Sequence, residues 1–259
     1  MATDAFRRRS HPRWASAAQA SIRIEADPLA LLRPRSTIVH ARRDQQFSLA
    51  ADQDEVVTIV RSGLLALRTA LPDNRRQVMT LLFPRDIFRP SFVPPLPDVS
   101  LFAAAASEIW RIPSSTFMAL AIGDSGLGCA LHSQIAEQQS RANLHIAALG
   151  NLNGEERVAS FLIELTLRFG SVSSDGISFQ IPLTRIDIAD YLALNADTLS
   201  RIMSRLKSRG VVLQKGRGRA IVPNGKALRD LTPLADALVS LLGGTSSKRE
   251  ASARILAKT

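Results

Sequence analysis

The sequence predicts an α+β chain with a β-rich N-terminal half, a long helix and a C-terminal winged helix-turn-helix. Three observations carry this. In "LTRIDIADYLALNADTLSRIMSRLKSRG", residues 183–210, Leu199, Ile202, Met203 and Leu206 recur at i, i+3, i+4 and i+7, the stripe of an amphipathic helix. Gly210 then ends the helix. "VVLQKGRGRAIVP" follows, two strand-like runs around Lys215-Gly216-Arg217-Gly218-Arg219, a basic glycine hairpin. Upstream, residues 36–112 break into short runs rich in β-formers, the pattern of an antiparallel sandwich or barrel.

Taken in order, residues 1–27 read as a disordered basic arm. "MATDAFRRRSHPRWASAAQA" has arginines but no apolar stretch behind them, which excludes a secretory signal. A transit peptide of mitochondrial type is the alternative. Residues 28–124 are the β-rich part, with runs such as "STIVHA", "EVVTIVRSGLLALRTA", "RQVMTLLF" and "SLFAAAASEIWRIP", and with a turn or two of helix in "DPLALLRPRS". The 259 residues suffice for two domains, and no apolar run approaches the ~20 residues of a membrane span, so no membrane partner is expected.

Residues 125–150 read as a dimerisation helix. Leu127, Leu131, Ile135, Gln138, Ala142, His145 and Leu149 step by threes and fours, a heptad-like seam interrupted by Gln138 and His145. Such a seam joins two chains, or else packs one helix on its own barrel; the intermolecular reading is preferred. Residues 151–242 hold the winged helix-turn-helix domain, which opens on a helix from Glu155 to Phe169, continues through a linker, "GSVSSDG", and ends on a helix near Lys226 to Leu242. Residues 243–259 read as a flexible tail.

The polar face of the second helix of the motif carries Asp197, Arg201 and Ser204, with Ser200, Arg205 and Lys207 flanking it. From Ile181 to Gly225 there are eight cations and three anions, a net of +5. A basic face beside a basic wing suits a phosphate backbone, whereas a plain helix pair with a solvated face is the bland alternative. The whole chain carries +10. Its one cysteine, Cys129, excludes an internal disulfide and a cysteine-built metal site; a buried thiol or a redox sensor is what remains. His11, His40, His132 and His145 have no ligand-specific context, so no metal and no cofactor are expected. No nucleophile–base grouping or phosphate-binding loop points to an enzyme.

The order of β-barrel, long helix and winged helix-turn-helix resembles the CRP/FNR superfamily of bacterial transcription regulators, its FixK-like branch in particular. The runs that carry the resemblance are "IPLTRIDIADYLALNADTLSRIMSRLKSRGVV", "IVRSGLLALR", "NRRQVMTLLFPRDIF" and "ERVASFLIELTLRFG", within residues 36–235. It implies a cyclic-nucleotide-binding-like β-roll and a homodimer on a palindromic site in double-stranded DNA. The family's Glu-x-x-Ser-Arg run is Asp197-Thr198-Leu199-Ser200-Arg201 here. Arg201 is thereby expected on a guanine edge, with Asp197 and Ser200 as further base contacts. Thr184, Thr198, Ser204, Arg205, Lys207, Lys215, Arg217 and Arg219 are expected on phosphates. Asp replaces the family's Glu at 197, and Ala193 stands where the family has glycine in the turn.

The roll departs further. Where cyclic-nucleotide binders have Gly-Glu for the ribose, this chain has Arg89-Pro90; where they have Arg-Ser for the phosphate, it has Pro97-Asp98. The expectation is therefore a cytoplasmic regulator with a degenerate sensor that does not bind cyclic nucleotides and needs no cofactor, with RNA polymerase a further partner to consider. The alternative is the same fold gated by a small ligand, haem, gas or redox signal.

Overall fold

The computed structural model describes residues 27–47, 49, 55–70, 75–93, 96, 98–216, 218–243 and 247–257. The N-terminal arm lies outside the described residues, apart from Asp27. There the Asp27 carboxylate accepts from Leu29 N and caps a 3-10 segment, Pro28–Arg35.

Eight strands follow: β1 (Thr37–Ala41), β2 (Gln46–Phe47), β3 (Val56–Ser62), β4 (Leu65–Ala70), β5 (Arg76–Leu82), β6 (Ile87–Phe88), β7 (Val99–Ala103) and β8 (Ser107–Pro113). They form two antiparallel sheets, ordered β1-β8-β3-β6 and β2-β7-β4-β5. Val60 and Ile109 of the first meet Leu65, Leu82 and Leu101 of the second. The alternate residues Val57, Ile59, Trp110 and Ile112 bury the opposite face of the first sheet against Leu29, Leu32 and Phe117. That is why "VVTIV" shows no apolar–polar alternation, with even Thr58 buried: both faces of β3 are covered. Between β3 and β4, Gly63 sits at φ +84°, and a Cβ there would lie 2.2 Å from Ser107 Oγ, so the turn requires glycine.

Two helices close the roll, α1 (Ser114–Gly123) and α2 (Ser125–Asn151), the second capped by Asp124. Leu152 and Asn153 alone separate α2 from α3 (Gly154–Phe169), which opens on a capping box of Asn153 and Glu156. The winged part comprises β9 (Ser171–Ser173), β10 (Gly176–Gln180), α4 (Arg185–Leu192), α5 (Ala196–Ser208), β11 (Leu213–Gln214) and β12 (Arg219–Val222), in a sheet ordered β11-β12-β10-β9. One core joins both halves: Leu81, Phe83 and Phe102 of the roll, Phe161, Leu162 and Leu165 of α3, and Leu199, Ile202 and Leu206 of α5. Each such side chain contributes about 1.5–3 kcal/mol on burial.

Three expectations need correction. The linker expected at "GSVSSDG" is the β9–β10 hairpin, turning at Ser174 and Asp175. The helix expected near Lys226 to Leu242 is broken by Pro233 into α6 (Gly225–Arg229) and α7 (Ala235–Leu242). The flexible tail is instead a helix, α8 (Ser247–Ala257), with Ser252 and Leu256 buried. Its backbone crosses Gly225 so closely that a Cβ there would stand 2.8 Å from the Ile255 carbonyl, and Arg229 donates to the Leu256 carbonyl at 2.9 Å.

The seam on α2 is also corrected. Leu127 and Leu131 are buried in the chain's own core. Gln138 is bound to the roll: its amide accepts from Ile87 N at 2.9 Å and donates to Ile87 O at 3.0 Å. His145 stacks on Tyr191, centroids 3.9 Å apart and planes at 3°. Ile135, Ala142 and Leu149 border a second stripe that stays open, with Ile146 65% exposed. The seam positions from Leu127 to Leu149 cover one broad face of a helix with 3.6 residues per turn, and tertiary contacts divide that face, turning Leu127, Leu131, Gln138 and His145 inward and leaving Ile135, Ala142 and Leu149 at its outer edge.

Candidate nucleic-acid interface

Helix α4 begins at Thr184, whose hydroxyl accepts from Asp187 N at 3.1 Å while the Asp187 carboxylate reaches back to Thr184. Thr184 is thus an internal cap as well as an expected phosphate contact. Helix α4 ends at Ala193, which adopts φ +51° and ψ +47°, the left-handed conformation that glycine takes without strain. Asn195 caps α5, its side-chain oxygen accepting from Thr198 N at 2.7 Å. Leu199, Ile202 and Leu206 are buried, and Asp197, Arg201, Ser204, Arg205 and Lys207 are exposed, as the periodicity requires.

The structure brings some of the expected residues together and assigns others internal partners. Neither Asp197 nor Arg201 has a side-chain partner among the described residues, so both point their polar ends at solvent near the start of α5. The Ser200 hydroxyl donates to Ala196 O at 2.8 Å and accepts from Arg185 Nη1 at 2.9 Å. That use inside the protein differs from the base contact expected of it. Arg185, to which the periodicity assigns no role, is held by this bond on the exposed side of the motif; it sits at the first turn of α4, out of register with the stripe of α5. Arg185, Ser200, Ser204, Lys207 and Arg219 all border one cleft of ≈ 300 Å³ between the recognition helix and the wing.

The acidic residues of this region are mostly occupied elsewhere. Asp187 is in the cap, and Asp190 pairs with Arg76 of β5 at 2.8 Å. Arg205 and Arg209 share Glu155 of α3, and Lys215 pairs with Asp175 at 3.2 Å. Arg219 donates to Ser178 Oγ at 3.3 Å. Gly216 and Gly218 at φ +73° and +75° turn the wing; Arg217 between them lies outside the described residues.

In the roll, Arg89 has a carboxylate of its own. Its Nη2 lies 2.6 Å from Glu55 Oε2 and donates to Ser114 Oγ at 3.0 Å, while Ser91 N donates to the other Glu55 oxygen at 2.5 Å. Burial alone would raise the Glu55 pKa, but the hydrogen bonds from Ser91 and Arg89 outweigh it and hold it at about 2. Asp98 stands at the entry to β7 with φ +48°; Pro97 lies outside the described residues.

A family profile described as a Crp-like helix-turn-helix domain matches residues 156–231. The chain is similar to the nitrogen fixation regulation protein FixK of Azorhizobium caulinodans, 30% identical over 184 residues, 68% of this chain and 71% of that one. It is 28% identical over 176 residues to FixK of Rhizobium meliloti, covering 66% and 76% of the two chains. Among solved structures, FixK2 from Bradyrhizobium japonicum superposes with a TM-score of 0.65 at 27% identity, over 76% of this chain and 97% of that one.

Proposed function

The chain belongs to the CRP/FNR superfamily of transcription regulators, in its FixK-like branch, and from that premise we propose that it acts as a homodimer on a palindromic operator, with a roll that takes no cyclic nucleotide. DNA binding and regulation of transcription, not catalysis, come with the family. The observation that carries the rest is the open face of α5. Asp197 and Arg201 are exposed there without internal partners among the described residues, on a helix anchored in the core by Leu199, Ile202 and Leu206. A guanidinium fork left free in this way fits the O6 and N7 acceptors of guanine, and a carboxylate accepts from a cytosine amino group.

In this reading Thr184, Thr198, Ser204, Arg205, Lys207, Lys215, Arg217 and Arg219 lie along the phosphates and set position more than sequence. The dimer closes through the outer stripe of α2: His132, Ile135, Gln139, Ala142, Ile146 and Leu149 alternate steps of three and four, with Gln139 able to fix register. Arg89, a cation of the roll that could meet a phosphate, is neutralised by Glu55, which supports a degenerate sensor. No helix among the described residues is long and apolar enough to cross a membrane. The reading places the protein in the cytoplasm with its DNA, and makes RNA polymerase its second macromolecular partner.

Selection of DNA from a random pool by the full-length protein tests this. Two inverted half-sites about one helical turn, ~10 bp, apart are expected. A single asymmetric site, or no enrichment, would refute the dimeric reading.

A further inference from the structure

The two-residue joint between α2 and α3, Leu152 and Asn153, is the only covalent path from the roll and the long helix to the DNA-reading half. A joint of this length can serve as a hinge unless side chains fix it. One side chain spans all three bodies. Arg141 of α2, 5% exposed, holds Asp86 of the roll through Nη1 at 3.3 Å and again through Nη2, which also donates to the Leu81 carbonyl at 3.0 Å. Its Nε faces Glu164 of α3 at 3.4 Å, a charge contact without the alignment of a hydrogen bond. Four residues earlier on α2, Glu137 takes a 2.7 Å hydrogen bond from Arg168 of α3.

The roll's side of this junction is built to hold its place. Asp86 is fully buried; it accepts from Phe83 N at 2.8 Å and from Gln134 of α2 at 3.2 Å. The turn it closes keeps Arg85 at φ +81°, a strained backbone for an arginine. Two cations lie over the Phe83 ring, Arg141 at 5.0 Å and Arg168 at 5.1 Å from its centroid. Burying so many charges is a poor way to gain stability, because an apolar cluster of the same volume would serve as well or better. What the ions supply is geometry: the arginine fork hydrogen-bonds Asp86 and the Leu81 carbonyl while its Nε faces the Glu164 carboxylate, which it can do in one arrangement of the three bodies.

We propose that Arg141, with Asp86 and Glu164, is the positioning element that sets the angle between the long helix and the DNA-reading half, and so the spacing between the two half-sites a dimer reads. This rests on the dimeric reading above. A rotation about residues 152–153 that carried each α5 by about 3.4 Å would shift its register by one base pair, so the junction need yield little to blur the spacing.

The test compares the wild type with the triple variant Asp86→Asn/Arg141→Met/Glu164→Gln, which removes every charge of the triad rather than leaving one unpaired, and with Arg141→Lys. Each full-length protein is titrated against the selected operator, against the same half-sites with one or two base pairs inserted or deleted between them, and against a lone half-site. The triple variant is expected to melt cooperatively and to bind the lone half-site within about twofold of wild type, while its preference for the native spacing falls by about tenfold, a coupling in the range of linked sites. Arg141→Lys, a point charge that cannot reach all three partners, should fall between them. A folded triple variant with the wild-type spacing preference would overturn the proposal. So would a triple variant that fails to fold, since the network would then be a requirement of the fold. A wild type with no spacing preference would instead refute the dimeric reading.

Discussion

Arg185, at the start of α4, donates a 2.9 Å hydrogen bond to the hydroxyl of Ser200 in the second turn of α5. The bond ties the supporting helix of the motif to the recognition helix on the exposed side, where the apolar stripe cannot. Because the Ser200 hydroxyl is committed within the protein, Ser200→Ala should change base preference little. Arg185→Ala, which removes both this tie and a cation beside the groove, should weaken operator binding by about 1 kcal/mol or more. Competition titrations against base-substituted operators separate the two. A larger loss of base discrimination for Ser200→Ala than for Arg185→Ala would contradict this ordering.

Ala193→Gly should stabilise the protein. The residue is left-handed, and removing its Cβ relieves a strain of about 1 kcal/mol that the greater chain entropy of glycine offsets only in part. Thermal unfolding reads it directly. An unchanged or lower Tm would mean the turn tolerates alanine without strain.

How much of this could be read from the sequence varies with the range of the interactions. Leu199, Ile202 and Leu206 announced the recognition helix because their spacing is local and their partners lie beneath one face. The Gly216–Gly218 wing was legible for the same reason. Helix α2 was misread because its apolar and amidic residues form two adjacent stripes, and only tertiary contacts tell that Leu127, Leu131 and Gln138 face the roll. Helix α8 has a sparse apolar face, Ala253, Ile255 and Leu256, that makes sense only against the bare backbone of Gly225. The Asp86–Arg141–Glu164 cluster joins residues 55 positions apart at its widest hydrogen bond, beyond any periodicity. The β9–β10 turn did leave a signal, the Asp175-Gly176 pair.

His145 should make the contact between α2 and α4 sensitive to acid. Burial against Tyr191, with Arg157's charge adding to it, lowers its pKa from 6.5 to about 4. The unfolded chain therefore binds more protons than the native one between those values. Stability is fully present above about pH 6.5 and falls, by up to about 3 kcal/mol, as the pH drops toward about 4. His145→Phe keeps a ring on Tyr191 and cannot titrate. Between about pH 7 and about pH 4.5 its Tm should fall less than that of the wild type; parallel losses in the two proteins would exclude His145 as the source.

Cyclic AMP and cyclic GMP should neither bind nor alter DNA affinity. A buried cyclic phosphate needs a free cation or several N–H donors. Arg89 is engaged by Glu55 and Ser114, and Asp98 brings an anion to the segment. Isothermal titration with each nucleotide, alone and with operator DNA present, reads both halves of the claim. Micromolar binding coupled to tighter DNA binding would restore ligand gating of the ordinary kind.

The account stands on Arg201 as the residue that reads DNA. It is exposed, has no side-chain partner among the described residues and lies on a helix whose other face is fixed in the core. Arg201→Ala should therefore leave the melting temperature unchanged. Titrated at one fixed salt concentration against operator and scrambled DNA, it should lose about 1–3 kcal/mol of discrimination for each half-site, with affinity for scrambled DNA little changed. An Arg201→Ala protein that still prefers the operator as strongly as the wild type would contradict the account.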